Sequence, residues 1–84
     1  ELLSKLYDKY RLHCIDINQL WVSETCYYTF TFESILSVDR QRENIIATGC
    51  VQFMQNFTDG DGQFISFTKL DRNSWIYQFN FKIS

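Results

Sequence analysis

The stretch "NFTDGDGQF", residues 56–64, alternates Asp59 and Asp61 with Gly60 and Gly62 inside an apolar neighbourhood. Three chemistries use such residues: an oxygen-rich calcium loop, a tight turn, and the acceptor pattern Asn56-Phe57-Thr58 for N-glycosylation. A calcium loop of the helix–loop–helix kind needs glycine at its sixth position and a bidentate carboxylate at its twelfth. Setting Gly62 sixth puts Asp61 and Asp59 at useful positions, but it also puts Phe57 first and Thr68 twelfth. The charged ligands at both ends are therefore missing. Asp-Gly tolerates the positive φ that a tight turn demands. The runs "CVQFMQNF" and "QFISFTKL" on either side predict a hairpin with this turn at its tip.

Other reactive groups are sparse. His13 is the single histidine and adjoins Cys14. Neighbours on a strand point to opposite faces, so the two do not form a base and nucleophile pair. The three cysteines, Cys14, Cys26 and Cys50, have neither the even count of a disulfide framework nor metal-ligand spacing. They read as reduced, buried thiols of an intracellular protein. Carboxylates are scattered, and Asp16 is expected to end a strand and start a turn with Asn18. No glycine loop suited to phosphate is present. The expectation is a non-enzyme with no catalytic residues, no cofactor and no metal.

The elements that would position these groups follow from periodicity. Leu2, Leu3, Leu6, Tyr7 and Tyr10 form one helical stripe, with Glu1, Ser4, Lys5, Asp8 and Lys9 on the other side. No capping residue precedes the stripe, and the chain opens on Glu rather than Met. Both features predict a helix over 1–10 that continues upstream as the end of a coiled coil. "LHCIDI" (12–17), "CYYTFTF" (26–32), "QFISFTKL" (63–70) and "WIYQFNFKI" (75–83) read as strands, the second and fourth with clean alternation. "NIIATGCVQFM" (44–54) suits a strand with Gly49 at a bulge or a short helix, and the strand is preferred. "DRQREN" reads as a solvated loop and "LDRNS" as a polar turn. The fold class is α+β, one helix followed by an antiparallel meander of four to five strands in a single domain over 1–84.

Bulk properties exclude several roles. With 45% hydrophobic and 18% aromatic residues the chain is no disordered tail. A net charge of −2 and one broken basic cluster, Arg40 and Arg42, argue against direct nucleic-acid binding. No apolar run approaches the roughly 20 residues of a membrane span. Several strands carry large apolar residues on both faces, Tyr27 opposite Tyr28 and Ile65 with Phe67 opposite Phe64. That surplus predicts burial against a second chain.

The opening "ELLSKLYDKYRLHCIDI" resembles the point where a coiled coil enters an RWD-like globular head of kinetochore proteins, of the microtubule-binding or monopolin type. "CYYTFTFESILSVDRQRENIIATGCVQFM" extends the likeness to residues 2–54. The resemblance implies a nuclear, non-catalytic head that forms a heterodimer with a related head and docks on kinetochore adaptor proteins. Leu2, Leu3, Leu6, Tyr7 and Tyr10 would then lie at the coiled-coil junction and against the sheet. Heads of that family end on a helix, whereas this chain ends on "WIYQFNFKIS". The alternative is a small secreted β-rich binding or inhibitor domain, with Asn56 glycosylated and two cysteines bridged.

Overall fold

The computed structural model describes residues 2–84; Glu1, assigned above to the polar side of the first helix, lies outside them. Helix α1 (Leu2–Tyr10) turns Leu6 and Tyr10 into the core and keeps its charged side in solvent. It stops at Arg11, which takes the left-handed φ of 59° while its N–H closes the last turn on the Tyr7 carbonyl at 2.8 Å. Strands β1 (Leu12–Val22) and β2 (Thr25–Ser34) follow as a hairpin. Helix α2 (Arg40–Phe57) leads to a second hairpin, β3 (Gly62–Lys69) with β4 (Ile76–Ile83). The four strands form one antiparallel sheet in the order β1-β2-β4-β3. The fold is α+β, as expected, with two hairpins joined through a second helix.

Both helices pack on one face of the sheet. Phe30 and Phe32 of β2 and Tyr77, Phe79 and Phe81 of β4 meet Ile46, Cys50, Phe53 and Met54 of α2 and Leu6 and Tyr10 of α1. The middle of the opposite face is polar. Thr29 donates to Asn80 Oδ1 at 2.6 Å, and Asn80 Nδ2 donates to Ser66 at 2.9 Å, so one polar ladder crosses three strands.

The structure corrects five expectations. Residues 44–54 are helical, not a strand. The helix begins at Arg40, where the Asp39 carboxylate accepts from Arg42 N–H at 2.8 Å and Glu43 lies in the positive first turn. Counted over its whole length, Ile46, Cys50, Phe53 and Phe57 recur at helical spacing. "DRQREN" is therefore a helix start and not a loop. Arg42 is half-buried there and donates from Nη2 to the Tyr10 carbonyl at 3.3 Å, tying the end of α1 to the start of α2.

The "DGDG" segment is the end of that helix and not a hairpin tip. Asp59 takes a φ of 56° and Gly60 a φ of 89°, and Gly60 N–H reaches back to the Gln55 carbonyl at 2.8 Å. This six-to-one bond is the Schellman closure of a helix. The turn chemistry was legible, but the element before it was not.

Asp16 does not end a strand, because β1 runs on to Val22. A β-bulge between Cys14 and Asp16 shifts the register there and resets which residues face the core. A second bulge between Phe64 and Ser66 places Phe64 and Phe67 on the same face, opposite Phe81 and Phe79 of β4, instead of on opposite faces.

Candidate partner-binding edge

The strand order leaves β1 and β3 as the two edges of the sheet. β1 is the longer, 11 residues against 8, and every residue from Ile15 to Val22 is exposed. Leu20 and Trp21 are the most exposed of its large apolar residues, at 62% and 64%. An edge strand presents unpaired backbone groups, and proteins commonly guard it with lysine, proline or inward charges. Between Ile17 and Val22 there is none of these; the nearest charge on the strand is Asp16. β3, by contrast, is shorter and ends on Lys69.

The direction of the free backbone groups follows from the hairpin. Ser23 and Glu24 form a two-residue turn with Ser23 at a φ of 59°. Such a turn makes the closing pair, Val22 and Thr25, a hydrogen-bonded one, with bonded and non-bonded pairs alternating behind it. Asp16, Asn18, Leu20 and Val22 then turn their N–H and C=O groups to β2, while Ile17, Gln19 and Trp21 turn theirs outward. The far end of β2 agrees. Ser34 N–H bonds the Trp75 carbonyl on the β4 side at 2.9 Å, and Ile35 N–H bonds the Arg11 carbonyl on the β1 side at 3.0 Å. Even-numbered residues of β2 thus serve β4, and odd-numbered ones serve β1.

The side chains of Ile17, Gln19 and Trp21 stand on the helix-bearing face, opposite Phe30, Tyr28 and Cys26 of β2. Gln19 Nε2 donates to the Tyr28 hydroxyl at 3.0 Å and the Cys26 sulfur at 3.2 Å, which fixes the middle of the row. Ile17 also forms one wall of an apolar cleft of about 250 Å3 lined by Leu2, Leu3, Phe30, Phe53 and Phe57. The edge therefore offers three outward backbone positions beside an open apolar cleft. That combination can add a strand and seat an apolar side chain.

The five residues of the α1 stripe are divided by the structure. Leu6 and Tyr10 are buried in the protein's own core, and Leu2 and Leu3 are half-buried at the cleft. Tyr7 is 41% exposed, with the Arg11 guanidinium 5.5 Å from its ring centroid. The reading from sequence missed Ile17–Val22 as a site, since it stopped the strand at Ile17. The available signal was the turn-forming Ser23-Glu24 before "CYYTFTF", which pairs with an equally long strand ahead of it.

Elsewhere the reactive groups are held quiet. Cys50 is fully buried under α2, and burial pushes its thiol from the ordinary 9.0 up to about 12. Such a thiol is a poor nucleophile near neutrality. Burial also raises the Cys14 thiol. Cys14 faces Phe32 and Cys26 faces Trp21, so the two lie six positions apart along β2, roughly 20 Å and beyond disulfide reach. All three cysteines are free. Tyr77 is buried and donates to Glu43 Oε2 at 2.9 Å; burial first, then the Glu43 carboxylate, holds its proton well above the usual tyrosine range. Asn56 is exposed near the end of α2, whereas the Thr58 hydroxyl is buried and donates to the Met54 carbonyl at 2.8 Å. Among the described residues no group of three or more His, Cys, Asp or Glu side chains could hold a metal ion, and no helix is long and apolar enough to cross a membrane.

Cys50 makes stability fall on the alkaline side. The folded thiol keeps its proton to higher pH than the unfolded one, so its contribution is intact below pH 9 and is lost as pH rises through about 12. The expected loss between pH 9 and 10 is on the order of 1 kcal/mol, since one pKa unit corresponds to 1.36 kcal/mol. Urea unfolding at pH 8, 9 and 10 reads it. The slope should flatten in Cys50→Ala, and an unchanged slope would assign it elsewhere.

No family model, curated protein or solved structure matches this chain.

Proposed function

We propose that this chain is a non-catalytic protein–protein interaction head that pairs with a second chain. One observation carries the proposal: the unguarded edge of β1, with Ile17, Leu20, Trp21 and Val22 each about half exposed or more across its two faces, and with Ile17 walling the apolar cleft. Exposed apolar surface of this kind marks interaction sites on proteins that must stay in solution. A small domain also gains stability from a partner, since a chain of this length buries only roughly 60–65% of its unfolded surface. The resemblance of residues 2–54 to kinetochore heads extends the proposal: a nuclear head that pairs with a related head and docks on kinetochore adaptor proteins.

Size-exclusion chromatography with light scattering over a tenfold concentration range, together with an apolar dye that fluoresces on exposed hydrophobic surface, tests the pairing. A mass rising above 10.1 kDa with concentration, with dye bound by the dilute chain, is the expected result. A constant monomer that binds no dye would overturn the proposal.

A further inference from the structure

We infer that the second chain at this edge is another copy of the same chain, joined through an antiparallel β1–β1 pair with its twofold axis at Gln19. The inference rests on the pairing proposed above and takes the second chain to be an identical copy in place of a related head. The usable edge is bounded at both ends by the structure. The bulge at Ile15 breaks the strand's regularity on one side, and the turn at Ser23 ends it on the other. A bulge bends an edge away from a would-be partner. What remains is the segment 16–22, and its midpoint is Gln19.

Antiparallel pairing about that midpoint sets Gln19 against Gln19 of the second copy, Ile17 against Trp21, Asn18 against Leu20, and Asp16 against Val22. The outward backbone groups belong to Ile17, Gln19 and Trp21. In this register each of them meets another outward residue, so all three pairs are hydrogen-bonded and none is left over. A twofold axis at Ile17 would run the pair into the bulge, and one at Trp21 would run it into the turn. An axis at Asn18 would set Trp21 against the bulge at Ile15, and one at Leu20 would set Ile17 against the turn at Ser23, so each would lose an outward pair.

The side chains fit the same register. Ile17 and Trp21 of opposite copies become cross-strand neighbours on the helix-bearing face. There the indole of one copy lies beside the cleft bounded by Ile17, Leu2 and Leu3 of the other. The two Asp16 carboxylates end up at opposite ends of the pair, each facing Val22, so no like charges oppose. The interface is isologous and closes on itself, and the joined sheet has eight strands, within the usual range.

Two measurements test the inference. In an equimolar mixture of isotope-labelled and unlabelled chains, filtered nuclear Overhauser spectra should show Asn18 Hα close to Leu20 Hα of the other copy. That non-bonded pair brings the Cα atoms to about 4.5 Å. The second measurement is light scattering on Gln19→Pro beside Gln19→Ala. Gln19 N–H points outward, so proline removes a bond only from the dimer and leaves the β1–β2 ladder whole. Gln19→Pro should associate at least tenfold more weakly than Gln19→Ala, which loses the same side-chain bonds to Tyr28 and Cys26 and keeps the N–H.

A dimer whose intermolecular contacts map away from 16–22, or one that Gln19→Pro leaves intact, would overturn the inference. A wild-type chain that stays monomeric yet binds the apolar dye would overturn self-pairing and leave the interaction reading standing. A monomer that binds no dye would overturn both.

Discussion

Phe30→Ala should lower the unfolding free energy by about 3–5 kcal/mol, the cost of removing a buried phenylalanine and leaving its cavity. Phe30 is 1% exposed and sits where both layers of the fold meet. Its ring stands edge-on to Phe53 at 5.3 Å and Phe57 at 5.6 Å, and stacks on Phe81 at 5.6 Å and Phe32 at 6.1 Å. Those neighbours come from β2, β4 and α2, so the void cannot close by moving one side chain. At roughly 0.05–0.15 kcal/mol per residue, a chain of this size has about 4–13 kcal/mol in total. The substitution therefore removes a large part of the stability, and at the lower bound it unfolds the domain. Urea denaturation should show the midpoint falling with little change in slope. A loss below about 1 kcal/mol, the size of an ordinary point substitution, would mean that the aromatic cluster is not the centre of the core.

Phe30 also shows what local pattern conveys. "CYYTFTF" and "WIYQFNFKI" alternate cleanly because each has one face on the core and one in solvent. Their inward residues, Tyr28, Phe30, Phe32, Tyr77, Phe79 and Phe81, were readable before the fold was known. Helix α1 was readable for the equivalent reason at a period of 3.6. α2 was not. The window 44–54 holds isoleucines, a valine and a glycine, all poor helix formers, and its start signal at Asp39 lies outside it. Tertiary burial of Ile46, Cys50 and Phe53 outweighs that local preference.

The bulges were invisible for a different reason. An extra residue at Ile15 or Ile65 reverses the facing of everything beyond it, and nothing in either residue's own chemistry marks the shift. The candidate site lies furthest from sequence. Whether β1 is an edge depends on the order β1-β2-β4-β3, which arises because α2 carries the chain across β4 to the far side of the sheet. Such non-local ordering has no local signature. The apolar surplus was legible at Tyr27 and Ile65; the exposed row Ile17–Val22 required the topology.

Gly49→Leu should cost about 2–3 kcal/mol, although leucine is the better helix former by roughly 0.8 kcal/mol. Gly49 is buried in the middle of α2, where glycine is otherwise unfavourable. It is explained by the ring of Tyr10, which lies against the bare Cα. A Cβ at position 49 would stand 2.6 Å from Tyr10 Cζ and 2.7 Å from its hydroxyl. The ring has little freedom to withdraw, since Tyr10 is only 8% exposed. The end of α1 must therefore lift away from α2. A double-mutant cycle isolates this contact: in a Tyr10→Ala background the Gly49→Leu penalty should largely vanish. A penalty that persists there would place the strain within α2 itself. Lifting α1 also moves Leu2 and Leu3, which wall the cleft beside Ile17. The same substitution should then raise dye binding by the folded chain, linking the helix–helix contact at Gly49 to the edge proposed for pairing.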